Sequence, residues 1–285
     1  SFLSSRRAFL QSLATTSATL PLLRASLASL EDAQAADVKN DKIDVMIPIF
    51  SRAERERRWS AVRRIMVKPQ WNLDAILAPA SGDTAYPRYL TQIGGRGGSA
   101  DVIFPRDDSK PVHALVSTAR NRAFWENRLN AWRSDGKLVI GQGEGSKSIA
   151  AEFKNLGLNN PGTRIGVAKL SGSRFDPEGL VAATFLENLK AALPGVQFLA
   201  IEKWGADAGP IDEPAMMKST EEHEVVRRAV AAGENAIEVI RRAARPPARH
   251  QGDIWFPTFA AMFAETGEDP TRLSIALDVE ANASL

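Results

Sequence analysis

The side chains suited to chemistry are few: His113, His223 and His250 are the only histidines, and cysteine is absent. A chain without thiols has no disulfide, no thiolate metal site and no Cys nucleophile. None of the histidines stands in an H-E-x-x-H spacing or any other ligand spacing. Glu221-Glu222-His223-Glu224 offers four ligand-type side chains in a row. Consecutive helical residues point in different directions, however, so these four cannot close on one ion. They read as acids at a helix start, where the helix dipole favours negative charge, beside a surface histidine. His113 falls on an expected strand, as a packed or edge residue. Gly141-Gln142-Gly143-Glu144-Gly145-Ser146-Lys147-Ser148 has the composition of a phosphate loop, but Ser146 separates Gly145 from Lys147 and breaks the G-K-[ST] ending. It reads as a flexible connector into a helix over 146–156. No nucleophile elbow supports a Ser-His-Asp arrangement. Within this chain no catalytic residue and no metal ligand is assigned.

What remains is an aromatic and cationic stretch. After a turn at 79–84, Tyr86-Pro87-Arg88-Tyr89-Leu90 reads as a loop, and Gly94, Gly95, Gly97 and Gly98 surround Arg96. Tyr86, Arg88, Tyr89 and Arg96 are its aromatic and cationic side chains, and the plain reading makes Tyr89 a core anchor. Several elements must position them. A strand over 73–78 precedes the loop. Strands over 102–104 and 112–116 follow it, joined through Asp107-Asp108-Ser109-Lys110, whose side chains favour a turn and therefore a hairpin. Upstream, Ser51 and Glu54 have capping-box spacing, and Trp59, Val62, Ile65 and Met66 share one helical face. Arg55, Arg57, Arg58, Arg63 and Arg64, interleaved with Glu54 and Glu56, read as a solvated face rather than an anion-binding strip.

Downstream, a helix over 120–132 places Phe124, Trp125, Leu129 and Trp132 on one side. Strands follow at 137–140, 164–167 and 196–201. Asp176-Pro177 should open a helix whose apolar side is Phe185, Leu186, Leu189 and Leu193. This alternation over 43–204 predicts a layered α/β domain with a mixed sheet. Residues 205–214, rich in Gly, Pro, Asp and Ala, read as a linker. Ser219 and Glu222 form a second capping-box pair. The helix they open has an apolar face of Val226, Ala229, Val230, Gly233, Ala236, Ile237, Ile240 and Ala244 and stops at Pro246-Pro247. A strand is expected at 272–277.

The 285 residues allow one large domain or two ordinary ones, with 44% hydrophobic and 25% charged residues as in a globular protein. Lys and Arg total 36 against 34 Asp and Glu, a net charge of only +2, so nucleic acid is not an expected partner. At the N-terminus, Ser5-Arg6-Arg7-Ala8-Phe9-Leu10-Gln11 is similar to a twin-arginine export signal, with Gln11 in place of the usual Lys. Ala33-Gln34-Ala35 matches an A-x-A cleavage site. The charge-free run over 8–23 would reach about 24 Å as a helix against ~30 Å of hydrocarbon, so no stable membrane span is expected. Arg6 and Arg7 therefore predict export to the periplasm, with the cytoplasm the alternative.

Asp74-Ala75-Ile76-Leu77, Tyr89-Leu90-Thr91 and Phe104-Pro105-Arg106-Asp107, in this order after an Arg-rich helix, resemble the N-terminal domain of the creatinase/prolidase/Xaa-Pro aminopeptidase metallopeptidases. Gln92-Ile93 intervene before the glycine that the family places after its Tyr-Leu-Thr. The run from Met217 to Ile240 is similar to the helix that begins the family's "pita-bread" catalytic domain. Gln251-Gly252-Asp253-Ile254-Trp255 stands at the next helix start, with Asp253 for the usual glutamate. The resemblance implies a ribonuclease-H-like mixed-sheet α/β domain followed by a truncated α+β pita-bread domain. The boundaries would be an export signal over 1–36, the N-terminal domain over 37–204, a linker over 205–216 and the start of the catalytic domain over 217–285.

It further implies an enzyme that hydrolyses the bond before proline in small peptides, acting as a homodimer. Tyr86, Arg88, Tyr89 and Arg96 would narrow the active-site mouth of a neighbouring subunit. Two divalent ions (Mn, Co or Zn) would be held by Asp, His and Glu residues beyond Leu285, so this chain alone should bind none and be inactive. Asp278 and Glu280 precede those ligand positions. The alternatives are a same-fold hydrolase or lyase of creatinase type, and a non-catalytic binding protein.

Overall fold

The structure, a computed structural model, describes residues 49–80, 85–94, 98–172, 178–202, 208–245 and 250–266. Helix α1 (Arg52–Met66) starts where Ser51 Oγ accepts the Glu54 amide, as its spacing predicts. Strand β1 (Ala75–Ala78) follows, then helix α2 (Ala85–Thr91) and the hairpin of β2 (Ala100–Pro105) and β3 (Val112–Val116). Next come α3 (Ala119–Arg128), α4 (Asn130–Arg133), β4 (Leu138–Gln142), α5 (Gly145–Asn155) and β5 (Arg164–Val167). The sequence continues with α6 (Ala183–Ala192), β6 (Gln197–Ala200), α7 (Asp212–Met216), α8 (Thr220–Ala243) and α9 (Gln251–Thr266).

Six strands form one mixed sheet in the order β4-β3-β2-β1-β5-β6. β1 pairs antiparallel with β2, and β2 with β3; β1–β5, β5–β6 and β3–β4 run parallel. All four residues of β1 are buried, because a central strand with helices on both faces has no solvated side. Alternation sends Ile76, Ala78, Val102 and Phe104 to one layer, with Trp59, Trp125 and Trp132. It sends Ala75, Leu77, Ile103, Ile165 and Val167 to the other, with Ile149, Phe153 and Leu189. Gly166 sits where Ile201 crosses: a Cβ there would lie 2.3 Å from Ile201 Cγ2 and 2.8 Å from Leu73 Cδ1, so only glycine fits.

The α/β class with a mixed sheet and the hairpin stand as predicted; several local expectations do not. Residues 86–90 form a helix, not a loop, because Leu90 and Thr91 are drawn into the core beside Trp59, whose Nε1 donates to Leu90 O at 2.8 Å. The 120–132 helix breaks at Leu129, which tucks Trp125, Leu129 and Trp132 inside but leaves Phe124 46% exposed. Helix α6 starts at Ala183, later than predicted. The connector after β4 is only Gly143-Glu144, and Ser148 Oγ receives the Glu144 amide at 3.2 Å, tying down the start of α5. Arg6, Arg7, Arg96, Asp176-Pro177, the 272–277 strand, Asp278 and Glu280 lie outside the described residues.

Candidate functional site

The Glu-rich start of α8 meets the Arg-rich start of α1, and their charges close on one another. Ser219 caps α8 by accepting the Glu222 amide at 3.1 Å, while Glu222 Oε2 accepts the Ser219 amide at 2.9 Å, completing the predicted capping box. At Ser51 the box is only half made. Its own amide and hydroxyl donate to the Glu221 carboxylate, at 2.7 and 2.5 Å, instead of to Glu54. Glu54 is thereby released to accept from Arg57 Nε at 2.7 Å and Arg58 Nε at 2.7 Å. Arg57 and Arg58 in turn each donate to Glu222, at 2.9 and 3.0 Å.

Two cations and two anions thus form a closed ring in which Arg58, Glu54 and Glu222 are buried. The solvated-face reading of this helix is therefore corrected. Arg55, fully buried, bonds to Trp132 O and Asp135, and its guanidinium stacks 4.7 Å from the Trp59 ring. The alternation of Glu54 with Arg57 and Arg58, at i+3 and i+4, was the legible half of the ring; its partner lies more than 160 residues away in sequence. Burial pushes the Glu54 carboxyl up, but the hydrogen bonds from Arg57 and Arg58 outweigh this and hold it below its ordinary value.

The predicted ligand residues divide at this junction. Tyr89 stacks on Arg58, whose guanidinium lies between the Tyr89 ring at 4.9 Å and the Phe50 ring at 4.0 Å. Arg88 and Tyr89 line one cavity of about 390 Å³. Tyr86 points elsewhere: its hydroxyl donates to Asp212 at 2.8 Å, and Lys169 Nζ sits 4.9 Å over its ring. Beside Asp212, Glu202 accepts the Lys169 amide at 2.6 Å. Desolvation is the main cause that pushes the Glu202 carboxyl up to about 7, with the Asp212 charge adding to it. Glu222, Gln92 and Phe50 escaped sequence reasoning, because only the fold brings them to Tyr89.

The three histidines carry no shared site. His113 Nδ1 lies 2.9 Å from Glu152, packed across the sheet face as expected. His250 immediately precedes α9, and its amide donates to Asp253 at 2.9 Å. Glu221, Glu222 and Glu224 diverge to Ser51, to Arg57 and Arg58, and to Arg227. Among the described residues no group of three His, Asp or Glu could hold a metal ion, so these residues do not fit a metal centre. Among them, too, no helix is long and apolar enough to cross a membrane.

Among solved structures the chain is similar to the X-Pro aminopeptidase of Thermotoga maritima MSB8, at 13% identity and a TM-score of 0.50. The match covers 72% of this chain and 49% of that one, so this chain spans about half its length. The N-terminal domain of the FACT complex subunit SPT16 from Cicer arietinum (chickpea) matches at 17% identity and a TM-score of 0.46, over 66% of this chain and 42% of that one. No protein-family model and no curated protein matches the sequence. At such identity the likeness is one of fold: the six-stranded sheet with its helices is a creatinase-like N-terminal fold.

Proposed function

We propose that this chain serves an exported, metal-dependent peptidase of the Xaa-Pro aminopeptidase/prolidase type, which hydrolyses the bond before proline in small peptides. The observation that carries the reading is the fold shared with an X-Pro aminopeptidase over 72% of this chain. Fold alone does not fix chemistry, so the proposal stands on test. Two divalent ions (Mn, Co or Zn) would supply an activated water for such a reaction. The described residues do not make that centre, and no step is routed through it. Their part is positional. The Glu54–Arg57–Glu222–Arg58 ring fixes the direction in which α8 leaves the sheet body. A homodimer, in which Tyr86, Arg88, Tyr89 and Arg96 of one subunit border the other's substrate, belongs to the same proposal.

The test is hydrolysis of X-Pro dipeptides and tripeptides by the full reading frame, with Mn²⁺, Co²⁺ or Zn²⁺ added. Metal-dependent release of the residue before proline is the expected result. Failure with every metal, while creatine-like amidines are turned over, would replace the peptidase reading with the creatinase-type one.

A further inference from the structure

The chain has no cysteine, so its five methionine thioethers are its only sulfur atoms open to oxidation. Four of them lie among the described residues, and the fold treats them differently. Met66 is fully buried at the end of α1, in the layer that holds Trp59 and Phe104, and Met262 is half-buried in α9. Filling space in this way is the usual use of so flexible a side chain. Met216 and Met217 are used otherwise. At 70% and 73% exposed, they are the two most exposed large apolar side chains among the described residues.

The backbone explains why neither is covered. Helix α7 ends at Met216, and Met217 is extended, with φ −91° and ψ 101°, before Ser219 caps α8. The pair therefore sits in the break between two helices. Ile211 and Pro214 are buried before the break and Glu222 after it. Contacts to backbone carbonyls hold the chain there: Lys218 Nζ donates to Ala215 O, and Arg57 Nη1 to Met217 O at 3.5 Å. Neither contact involves a thioether. What methionine offers at an uncovered position is a polarizable, nucleophilic sulfur that an oxidant can reach.

We propose that Met216 and Met217 form a modification site for two-electron oxidants of the peroxide class, which they consume before the buried methionines are reached. A sulfur lone pair attacks one oxygen of hydrogen peroxide, and the S–O bond forms as the O–O bond breaks. The proton of the transferred oxygen passes to the departing hydroxide, which leaves as water. Sulfur is oxidised by two electrons and the peroxide is reduced. The product is a sulfoxide, which methionine sulfoxide reductases return to the thioether. At Met66 the new oxygen would lie among apolar side chains with no donor, whereas at Met216 and Met217 it meets water. The fold therefore tolerates oxidation at the exposed pair. The inference rests on this difference in exposure and holds whether or not the peptidase reading does.

The experiment treats the 285-residue chain with limiting hydrogen peroxide, about two molar equivalents, and maps the peptides by mass spectrometry once the oxidant is exhausted. Met46, outside the described residues, is first replaced by Leu so that its sulfur does not compete. Gain of one oxygen is expected at Met216 and Met217 about tenfold or more above that at Met66, with the melting temperature unchanged. Methionine sulfoxide reductase should reverse both. Met216→Leu combined with Met217→Leu keeps size and apolarity. After the same dose this variant should carry more sulfoxide at Met262 and Met66, and should melt below the treated parent. Equal oxidation at all four methionines, unfolding on oxidation of Met216 and Met217, or no added sulfoxide at Met262 and Met66 in the double variant would overturn the proposal.

Discussion

The sheet body and the α8–α9 pair are stabilised in opposite ways. In the body, alternate residues of every inner strand fill one of two apolar layers, and three tryptophans (Trp59, Trp125 and Trp132) are at most 2% exposed. The helix pair hides little between its members: Ala232, Ala236, Ile254 and Thr258 are buried, while Val226, Val230, Ile237 and Phe256 are 47–68% exposed. What joins α8 to the body is polar, namely Glu221 on Ser51 and Glu222 on Arg57 and Arg58. Apolar burial is non-directional and tolerates small shifts, whereas a hydrogen-bonded ion ring is either closed or broken. The body therefore supplies stability, and the junction supplies geometry.

The largest effect should come from the body. Trp59 touches Phe104 edge-on at 5.9 Å and Trp132 at 6.4 Å, and donates to Leu90 O. Trp59→Ala removes all of this and should cost roughly 3–5 kcal/mol. Urea unfolding would show the midpoint falling for the whole sheet; a change confined to α8 would mean that body and junction are not separable in this way.

Next comes the junction. Glu222→Gln keeps the side-chain shape but leaves Arg58 buried with Glu54 as its one full counter-charge. A cost of about 2–3 kcal/mol is expected, since truncating one member of a buried ionic network exposes the desolvation of the rest. Hydrogen exchange separates this from a global effect. Amides in the first turns of α8 and α1 should lose protection while those of β1 and β2 keep it. Val230→Ser, on the exposed side of the same helix, is the control and should change stability by no more than about 0.5 kcal/mol.

The same division explains what was legible in the sequence. Strand β5 was readable to the residue, because an apolar run between turn residues has few other solutions. The capping box at Ser219 was readable too, since both partners lie within one turn. The ring was not, because Glu54 and Arg58 look like any surface i,i+4 pair until Glu222 arrives from the other end of the chain. Residues 86–90 were misread for a related reason. With Pro87 in the middle they suit a turn locally, yet burial of Leu90 and Thr91 against α1 decides for a helix, which tolerates proline in its first turn. The likeness in motif order anticipated the fold, while nothing in the spacing of Phe50, Tyr89 and Gln92 announced a shared cavity.

The smallest effect, and the most pH-dependent, lies where α7 meets the sheet body. Ile211 is buried in the body's core, and Asp212 accepts from Tyr86 within reach of the Glu202 charge. Burial raises the Glu202 carboxyl to about 7 in the folded chain, above its ordinary value of 4.5. A raised folded value means that the folded state holds its proton more tightly than the unfolded one. The resulting stabilisation is complete below about pH 4.5 and disappears as the pH rises through about 7. Above that, the ionised carboxylate has one buried oxygen, Oε2, without a partner, and it faces the charge of Asp212. Glu202→Gln removes the charge and should leave the protein more stable than the parent at pH 8, with the gain shrinking towards pH 5. Melting temperatures of the two proteins across this range measure it. Parallel curves would mean that Glu202 stays ionised throughout, and that the α7 contact with the sheet body is as insensitive to pH as the apolar layers are.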